Sequence, residues 1–161
     1  MDYFIREAER KDVAQMLDLI KELAEFERAL QEVEVTESEL LESGFGPNPA
    51  YKSFVADLGG QVAGMALVYP RYSTWKGTSL HLEDLIVNQK FRGLGIGTAL
   101  LDQVVKYGHA LGVRRINWEV LDWNEPAITF YENKGAHVLR DWDVVQLNEK
   151  AISDYIAKID S

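Results

Sequence analysis

The sequence contains no cysteine, and this absence excludes several kinds of site. It allows no disulfide, no thiolate metal ligand and no covalent intermediate on a cysteine. His81, His109 and His137 are far apart and lack the spacing of metal ligands, so we expect no bound metal. No apolar run reaches the length of a membrane span, and the first residues lack the basic and apolar regions of a signal peptide. We therefore expect a cytoplasmic protein that does not bind membranes.

Basic residues are the minority among the charged ones. The chain has 17 Lys and Arg residues against 26 Asp and Glu residues, which gives a net charge of -9. Such a charge repels nucleic-acid phosphates, so a nucleic-acid partner is not expected. It attracts cations, and a cationic amine substrate fits, although the same charge also serves solubility.

Length and periodicity together predict the fold class. At 161 residues, 47% of them apolar, the chain is expected to form one domain over residues 1–161. Strand and helix patterns alternate with hairpin and crossover signals, which favours an α/β protein of the α+β type, with a mixed, mostly antiparallel sheet flanked by helices. The predicted elements are a strand at 3–6, a helix capped by Asp12, a short helix capped by Thr36, strands at 53–58 and 61–69 joined by Gly59 and Gly60, a loop at 70–77, a strand at 80–87, a helix at 98–111, a strand at 115–120, a short helix capped by Asn124, a hairpin within 136–147 and a helix at 149–159.

A glycine-rich loop lies between the strand at 80–87 and the following helix. The first amides of a helix have no partner within it, and glycines let an anion approach them closely. Arg92 adds a positive charge beside this loop. The loop therefore predicts a pyrophosphate site, formed by Arg92, Gly93, Leu94, Gly95, Ile96, Gly97 and Thr98.

The spacing of this loop decides between nucleotide motifs. It lacks the Gly-Lys-Ser/Thr of a Walker loop, and it lies too late in the chain for a dinucleotide fingerprint. The observed Arg-x-x-Gly-x-Gly spacing resembles the acetyl-CoA loop of the GNAT superfamily of N-acetyltransferases. Without that resemblance, the glycines can equally be explained as a tight strand-to-helix turn.

Two carboxylates interrupt the apolar strand before the loop. Neighbouring strand residues point to opposite faces, so at least one of Glu83 and Asp84 is expected to be partly buried. Burial raises a carboxyl pKa toward the range of a general base. A salt bridge at a strand end, or a bulge with both groups solvated, is the alternative. These two residues are our candidate catalytic bases.

Aromatic residues accompany acidic ones later in the chain. Trp118, Glu119, Asp122 and Trp123 are able to hold an ammonium group through charge and cation–π contacts, whereas core packing is the simpler explanation for at least one tryptophan. Phe130 and Tyr131 follow in the short helix and, taken alone, are explained as helix core.

Several segments, in order, resemble the diamine acetyltransferase branch of the superfamily, which includes the spermidine/spermine and thialysine N-acetyltransferases. The resemblance covers nearly the whole chain and implies the acyl-CoA N-acyltransferase fold and a homodimer. The segments are Ile5-Arg6, residues 19–24, Gly44-Phe45-Gly46, Leu82-Glu83-Asp84, residues 92–97 and Trp123-Asn124-Glu125-Pro126.

This resemblance also implies roles for individual residues. Tyr131 matches the general acid that protonates the departing thiolate. Acetyl-CoA, as co-substrate, would be held by Leu85, Ile86, Val87, residues 93–98, Asn124, Ala127 and Lys134. The amine would be bound by Phe26, Glu27, Glu83, Asn117, Trp118, Glu119 and Asp141. Residues 72–77 and 120–124 look more like the thialysine-acetylating relatives, and residues 136–142 align loosely.

Overall fold

The computed structural model describes residues 2–161 and divides the chain into two compact units. The first unit ends at Glu119, and the second spans Val120–Ser161. The expectation of one domain over the whole chain stays a prediction. None of the helices in residues 2–161 is long and apolar enough to cross a membrane.

The first unit is built on a five-stranded sheet with three helices. Its strands stand in the order β1-β2-β3-β4-β5; the first four pair antiparallel, and β5 pairs parallel with β4. This arrangement confirms the predicted mixed, mostly antiparallel sheet. The elements are β1 (Phe4–Glu7), α1 (Val13–Phe26), α2 (Glu37–Phe45), β2 (Lys52–Leu58), β3 (Gln61–Ser73), β4 (Gly77–Val87), α3 (Ile96–Leu111) and β5 (Ile116–Asn117).

The hairpin between β2 and β3 shows how local sequence sets the register. Leu58 pairs with Gln61, which leaves Gly59 and Gly60 as a two-residue turn with φ of 63° and 92°. Two positive φ values fit the turn that matches the twist of a hairpin, and glycine adopts them at no steric cost.

The core lies on the sheet face covered by α1 and α2. Met16 and Leu17 of α1 pack there against Met65 and Leu67 of β3 and Ile86 of β4. The intervening strand residues face α3, because a β-carbon on Gly64 would meet Ile96 and Leu100 of that helix. Helices thus cover both faces, as predicted.

The longest hairpin replaces a predicted loop. The expectation of a loop at 70–77 is wrong, since Pro70 pairs with Leu80 and the strands continue to Ser73 and from Gly77. The turn between them is closed by the Ser73 hydroxyl, which accepts hydrogen bonds from the amides of Trp75 and Lys76, each at 3.1 Å. Proline removes only one backbone donor, so Pro70 is compatible with this pairing.

Asp12 does not cap α1 as predicted. Its carboxylate accepts hydrogen bonds from Arg6 at 2.7 and 2.9 Å and from the Glu9 amide at 2.7 Å. Burial alone would raise the pKa of Asp12. These hydrogen bonds and the positive charge of Arg6 lower the pKa by more than burial raises it, so the net shift is downward. Arg6 also binds Asp57 at 2.9 Å and thereby ties β1, the start of α1 and β2 together. The predicted Thr36 cap is confirmed, because its hydroxyl accepts from the Glu39 amide at 3.1 Å.

The second unit contains α4 (Glu125–Asn133) and α5 (Glu149–Ile159). Asn124 caps α4 by accepting from the Ala127 amide at 3.4 Å, and the bounds of α5 match the prediction. The hairpin expected within 136–147 is wrong, since no strand forms in that described segment. The strand expected at 115–120 is reduced to β5, Ile116–Asn117. Alternating apolar residues predict strands only where a neighbouring strand is present.

Candidate active site

The glycine loop leaves the amides at the start of α3 open. Gly93 and Gly95 have φ of 84° and 81°, and Gly95 is the N-cap, so no side chain caps the helix. The helix begins at Ile96, two residues earlier than predicted, which places Gly97 and Thr98 in its first turn. Arg92 donates from Nε to the Val87 carbonyl at 3.3 Å and so lies beside the loop. This geometry suits an anion such as a pyrophosphate.

The last residues of β4 have one open edge. Leu80 and His81 pair with Ile116 and Asn117 of β5, and no strand of the described chain continues this pairing to Val87. The predicted cofactor residues Leu85, Ile86 and Val87 occupy this stretch, with β3 on their other side. Their open edge leads directly to the glycine loop, so one extended ligand is able to contact both.

A β-bulge lies at Glu83, beside this edge. Leu67 stands opposite Asp84 and Val68 opposite Leu82, which leaves Glu83 without a partner on β3. An inserted residue of this kind bends a strand and redirects its side chains, and bulges are frequent next to active sites.

The bulge overturns the expectation that Glu83 and Asp84 point to opposite faces. Alternation holds only for regular strand, and Glu83 Oε2 lies 3.3 Å from both the Tyr69 hydroxyl and His81 Nε2. Tyr69 belongs to the face covered by α1, and the register puts Asp84 on that face as well. Both carboxylates are therefore directed to the same side of the sheet.

Like charges gather around this pair. Burial, the charge of Glu83 and the charge of Glu27 raise the pKa of Asp84 to about 6. Burial also raises the pKa of Glu27, which follows the last residue of α1. The pKa of Tyr69 is raised by burial, by the charge and hydrogen bond of Glu83, and by the charge of Glu119. Glu27, Glu83 and Glu119 thus act on Tyr69 or Asp84 and form with Asp84 an acidic cluster beside the bulge of β4.

The structure brings some predicted substrate residues into this cluster. Glu27, Glu83 and Glu119 belong to it, and Asn117 reaches it through His81, 2.7 Å from Asn117 Nδ2 to Nδ1 of the ring. Phe26 ends α1 and is 45% exposed. Trp118 is partly buried between Asn117 and Glu119 in the chain.

The remaining predicted residues lie in the second unit. Asn124 and Ala127 form the capped start of α4, Tyr131 follows one turn after Ala127, and Lys134 ends the helix. The Tyr131 ring lies 5.4 Å from that of Phe130. Asp141 is exposed beyond the helix. The spacing puts Ala127, Tyr131 and Lys134 on one side of α4.

Sequence reasoning missed Tyr69 and His81. Both touch Glu83, and His81 is 5% exposed although it is polar. The sequence does mark His81 in one way: it is a polar residue in an otherwise apolar strand, two positions before Glu83. Within residues 2–161 no group of three His, Cys, Asp or Glu side chains is arranged to hold a metal ion.

Comparison with known proteins identifies the family. The model of the acetyltransferase (GNAT) family matches residues 14–137. The chain belongs to this family. It is 35% identical to a thialysine N-epsilon-acetyltransferase of Bos taurus, over 96% of this chain and 97% of that protein. It is equally identical to a spermidine/spermine N(1)-acetyltransferase-like protein 1 of Homo sapiens, over 96% of this chain but 24% of that longer protein.

Solved structures agree with this GNAT fold. An integron cassette protein of V. cholerae matches 97% of this chain and 98% of its own, with a TM-score of 0.78 and 19% identity. An aminoglycoside N-acetyltransferase in complex with CoA matches over 90% of this chain and 94% of its own, with a TM-score of 0.72 and 18% identity. The predicted acyltransferase fold is confirmed, and the protein is an N-acetyltransferase, an enzyme class that uses acetyl-CoA.

Proposed function

We propose that this GNAT enzyme transfers an acetyl group from acetyl-CoA to a primary amine of a small cationic substrate, such as a polyamine, a diamine or a thialysine- or lysine-like amine. The observation that carries this proposal is the acidic cluster of Glu27, Glu83, Asp84 and Glu119 beside the bulge of β4. The charges of Glu27 and Glu83 oppose ionisation of Asp84, and a cationic ligand relieves that repulsion. The names of the two relatives point to the same substrate class.

The glycine loop and the open edge of β4 fit the co-substrate. We propose that Arg92 and the amides of residues 93–98 hold the pyrophosphate, and that the backbone of Leu85, Ile86 and Val87 bonds the pantetheine. Backbone amides near Leu85 would polarise the thioester carbonyl, a form of stabilisation that is often the largest part of catalysis. From the second unit, Asn124, Ala127 and Lys134 are proposed as further contacts, by resemblance.

We propose direct transfer in a ternary complex, since no cysteine is available to carry the acetyl group. The ammonium loses a proton to Glu83 through water; the amine nitrogen then bonds to the carbonyl carbon, and the carbon–sulfur bond breaks. Tyr131 supplies the proton to the departing sulfur, and the proton that the nitrogen loses as the amide forms restores the Tyr131 phenol. Glu83 is more exposed than Asp84 and easier for water to reach, whereas the pKa of Asp84, about 6, is closer to that of an efficient base.

We further propose a cytoplasmic homodimer. The resemblance implies the dimer, and α5 supports it with an apolar stripe whose members are more than half exposed: Ile152, Tyr155, Ile156 and Ile159. Light scattering coupled to gel filtration is expected to give twice the monomer mass of 18.3 kDa; a monomer at micromolar concentration contradicts the dimer.

The test is release of free thiol from acetyl-CoA over a panel of spermidine, spermine, putrescine, lysine, thialysine and a lysine peptide. We expect saturable release with at least one small cationic amine, and initial-velocity lines that intersect, as a ternary complex requires. Release with the peptide or intact proteins alone would instead assign a protein acetyltransferase. Binding of acetyl-CoA without any release would assign a non-catalytic module.

Variants test the residue roles. Glu83→Gln and Tyr131→Phe are each expected to lower kcat by about 10²–10⁴-fold, the usual contribution of a proton-transfer residue. Glu37→Gln, in the first turn of α2, and Tyr72→Phe, whose side chain is 74% exposed, are matched controls that should change little. Unchanged turnover in both Glu83→Gln and Tyr131→Phe contradicts the mechanism.

A further inference from the structure

A buried histidine connects β5 to the carboxylate of the bulge. His81 pairs with Asn117 in the sheet register, and Nδ1 of its ring lies 2.7 Å from Asn117 Nδ2. Its other nitrogen, Nε2, lies 3.3 Å from Glu83 Oε2. The ring also lies against Tyr69, with 5.1 Å between the centroids. His81 is therefore held on three sides, and one of these contacts is the proposed base.

The Asn117 amide determines which ring nitrogen carries the proton. A side-chain amide nitrogen only donates, so Nδ1 of His81 accepts, and a neutral ring then carries its proton on Nε2. That proton points toward Glu83 Oε2.

We infer that Asn117 and His81 are positioning residues for the proposed transfer: Asn117 orients the His81 ring, and the ring fixes the direction of Glu83. This inference rests on the proposed function. Glu83 accepts hydrogen bonds from His81 Nε2 and from the Tyr69 hydroxyl, each at 3.3 Å, and the two donors together hold its carboxylate in one orientation. Without them the Glu83 side chain, which is 51% exposed, would turn in solvent. The ring itself is in contact with Glu83, Tyr69 and Asn117, so a change at His81 reaches the proposed base directly.

Two variants separate positioning from simple support of the fold. His81→Leu removes the donor to Glu83 and is expected to lower kcat about tenfold, with the KM for acetyl-CoA nearly unchanged. Asn117→Leu removes the donor that orients the ring and should lower kcat less, and adding it to His81→Leu should lower kcat little further, because both act through the same ring. A merely structural role would not produce this loss of additivity in kcat.

His81→Gln supplies an amide donor in place of Nε2 but does not titrate. It is therefore expected to recover most of the kcat that His81→Leu loses. Melting temperatures of all variants, and their acetyl-CoA KM, report whether folding is intact. Equal kcat in the wild type, His81→Leu and Asn117→Leu would overturn the inference.

A readout without turnover keeps the inference separate from the proposed function. Nitrogen-15 NMR of the imidazole, assigned by the signals lost in His81→Gln, distinguishes the two tautomers and the imidazolium. In the neutral ring of the wild type we expect the proton on Nε2, because Nδ1 accepts from the Asn117 amide. A proton on Nδ1 alone in the wild type overturns the inference. Failure of every amine in the panel, with the expected tautomer present, would refute the proposed function alone.

Discussion

Replacing Asp84 with asparagine is expected to stabilise the folded protein while impairing the proposed reaction. Burial and the charges of Glu83 and Glu27 raise the pKa of Asp84 from 3.8 to about 6. A carboxyl with a higher pKa in the folded state opposes folding when it is ionised. This cost is fully present well above pH 6 and disappears as the pH falls toward 3.8. Asparagine has nearly the same shape and carries no charge, so it removes the cost.

The magnitude follows from the shift. One pKa unit corresponds to about 1.4 kcal/mol, so a shift of about two units limits the gain in the free energy of unfolding to about 3 kcal/mol. Residual contact of Asp84 with solvent reduces the expected gain to about 1–3 kcal/mol at pH 8. By pH 4.5 about a third of the gain should remain, because the folded carboxyl is then protonated in the wild type.

The assay is urea unfolding followed by tryptophan fluorescence at pH 8, 6 and 4.5, with thiol release measured on the same preparations. Asp18→Asn, at an exposed position of α1, is the matched control and should change the free energy of unfolding little at any pH. A gain for Asp84→Asn that is the same at pH 8 and pH 4.5 would refute the electrostatic reasoning. Absence of any gain would show that Asp84 is not desolvated.

Three further substitutions test the packing and the polar contacts of the first unit by urea unfolding. Arg6→Met should lower the free energy of unfolding by about 3–5 kcal/mol, because it leaves the Asp12 carboxylate, 2% exposed, without its cation. As a control, Lys150→Met removes an exposed ion pair and should lower it by less than about 1 kcal/mol. Gly64→Ala should lower the free energy of unfolding by about 1–3 kcal/mol, because its β-carbon would lie 2.8 Å from the Ile86 carbonyl oxygen. Gly97→Ala makes only an ordinary contact of 3.6 Å and should be neutral or stabilising. Equal stability of the two variants would contradict the register. Tyr51→Phe should cost about 1 kcal/mol by removing a 2.6 Å hydrogen bond to the Leu40 carbonyl, and a result matching exposed Tyr72→Phe would exclude that contribution.

The sequence predicted those parts of the fold that depend on local chemistry. The Gly59-Gly60 turn, the Thr36 and Asn124 caps and the bounds of α5 follow from residues within a few positions of one another. The prediction of the Asp12 cap failed because Arg6 of β1 and the Glu9 amide hold its carboxylate. The end of β3 was predicted too early. Pairing with β4, and not local propensity, sets the length of that strand and extends it through Pro70.

The candidate site was predictable in composition but not in geometry. The sequence placed Glu83 and Asp84 next to each other on a strand, but a bulge is defined by the partner strand and has no signal in a single segment. His81 and Tyr69 became visible only when the register brought them to Glu83. The roles assigned to Tyr131 and to the cofactor residues came from family resemblance and remain predictions.

The open edge of β4 has a consequence for handling the protein. Exposed strand edges carry unpaired amides and carbonyls, which are templates for joining the strands of other molecules. The stretch from Leu82 to Val87 lies between the end of the β5 pairing and the glycine loop, with apolar residues at most positions. A pantetheine lying along this edge would occupy the same groups and act as a molecular cap. The unliganded enzyme would then be the form at risk of aggregation, and CoA in the storage buffer would protect it.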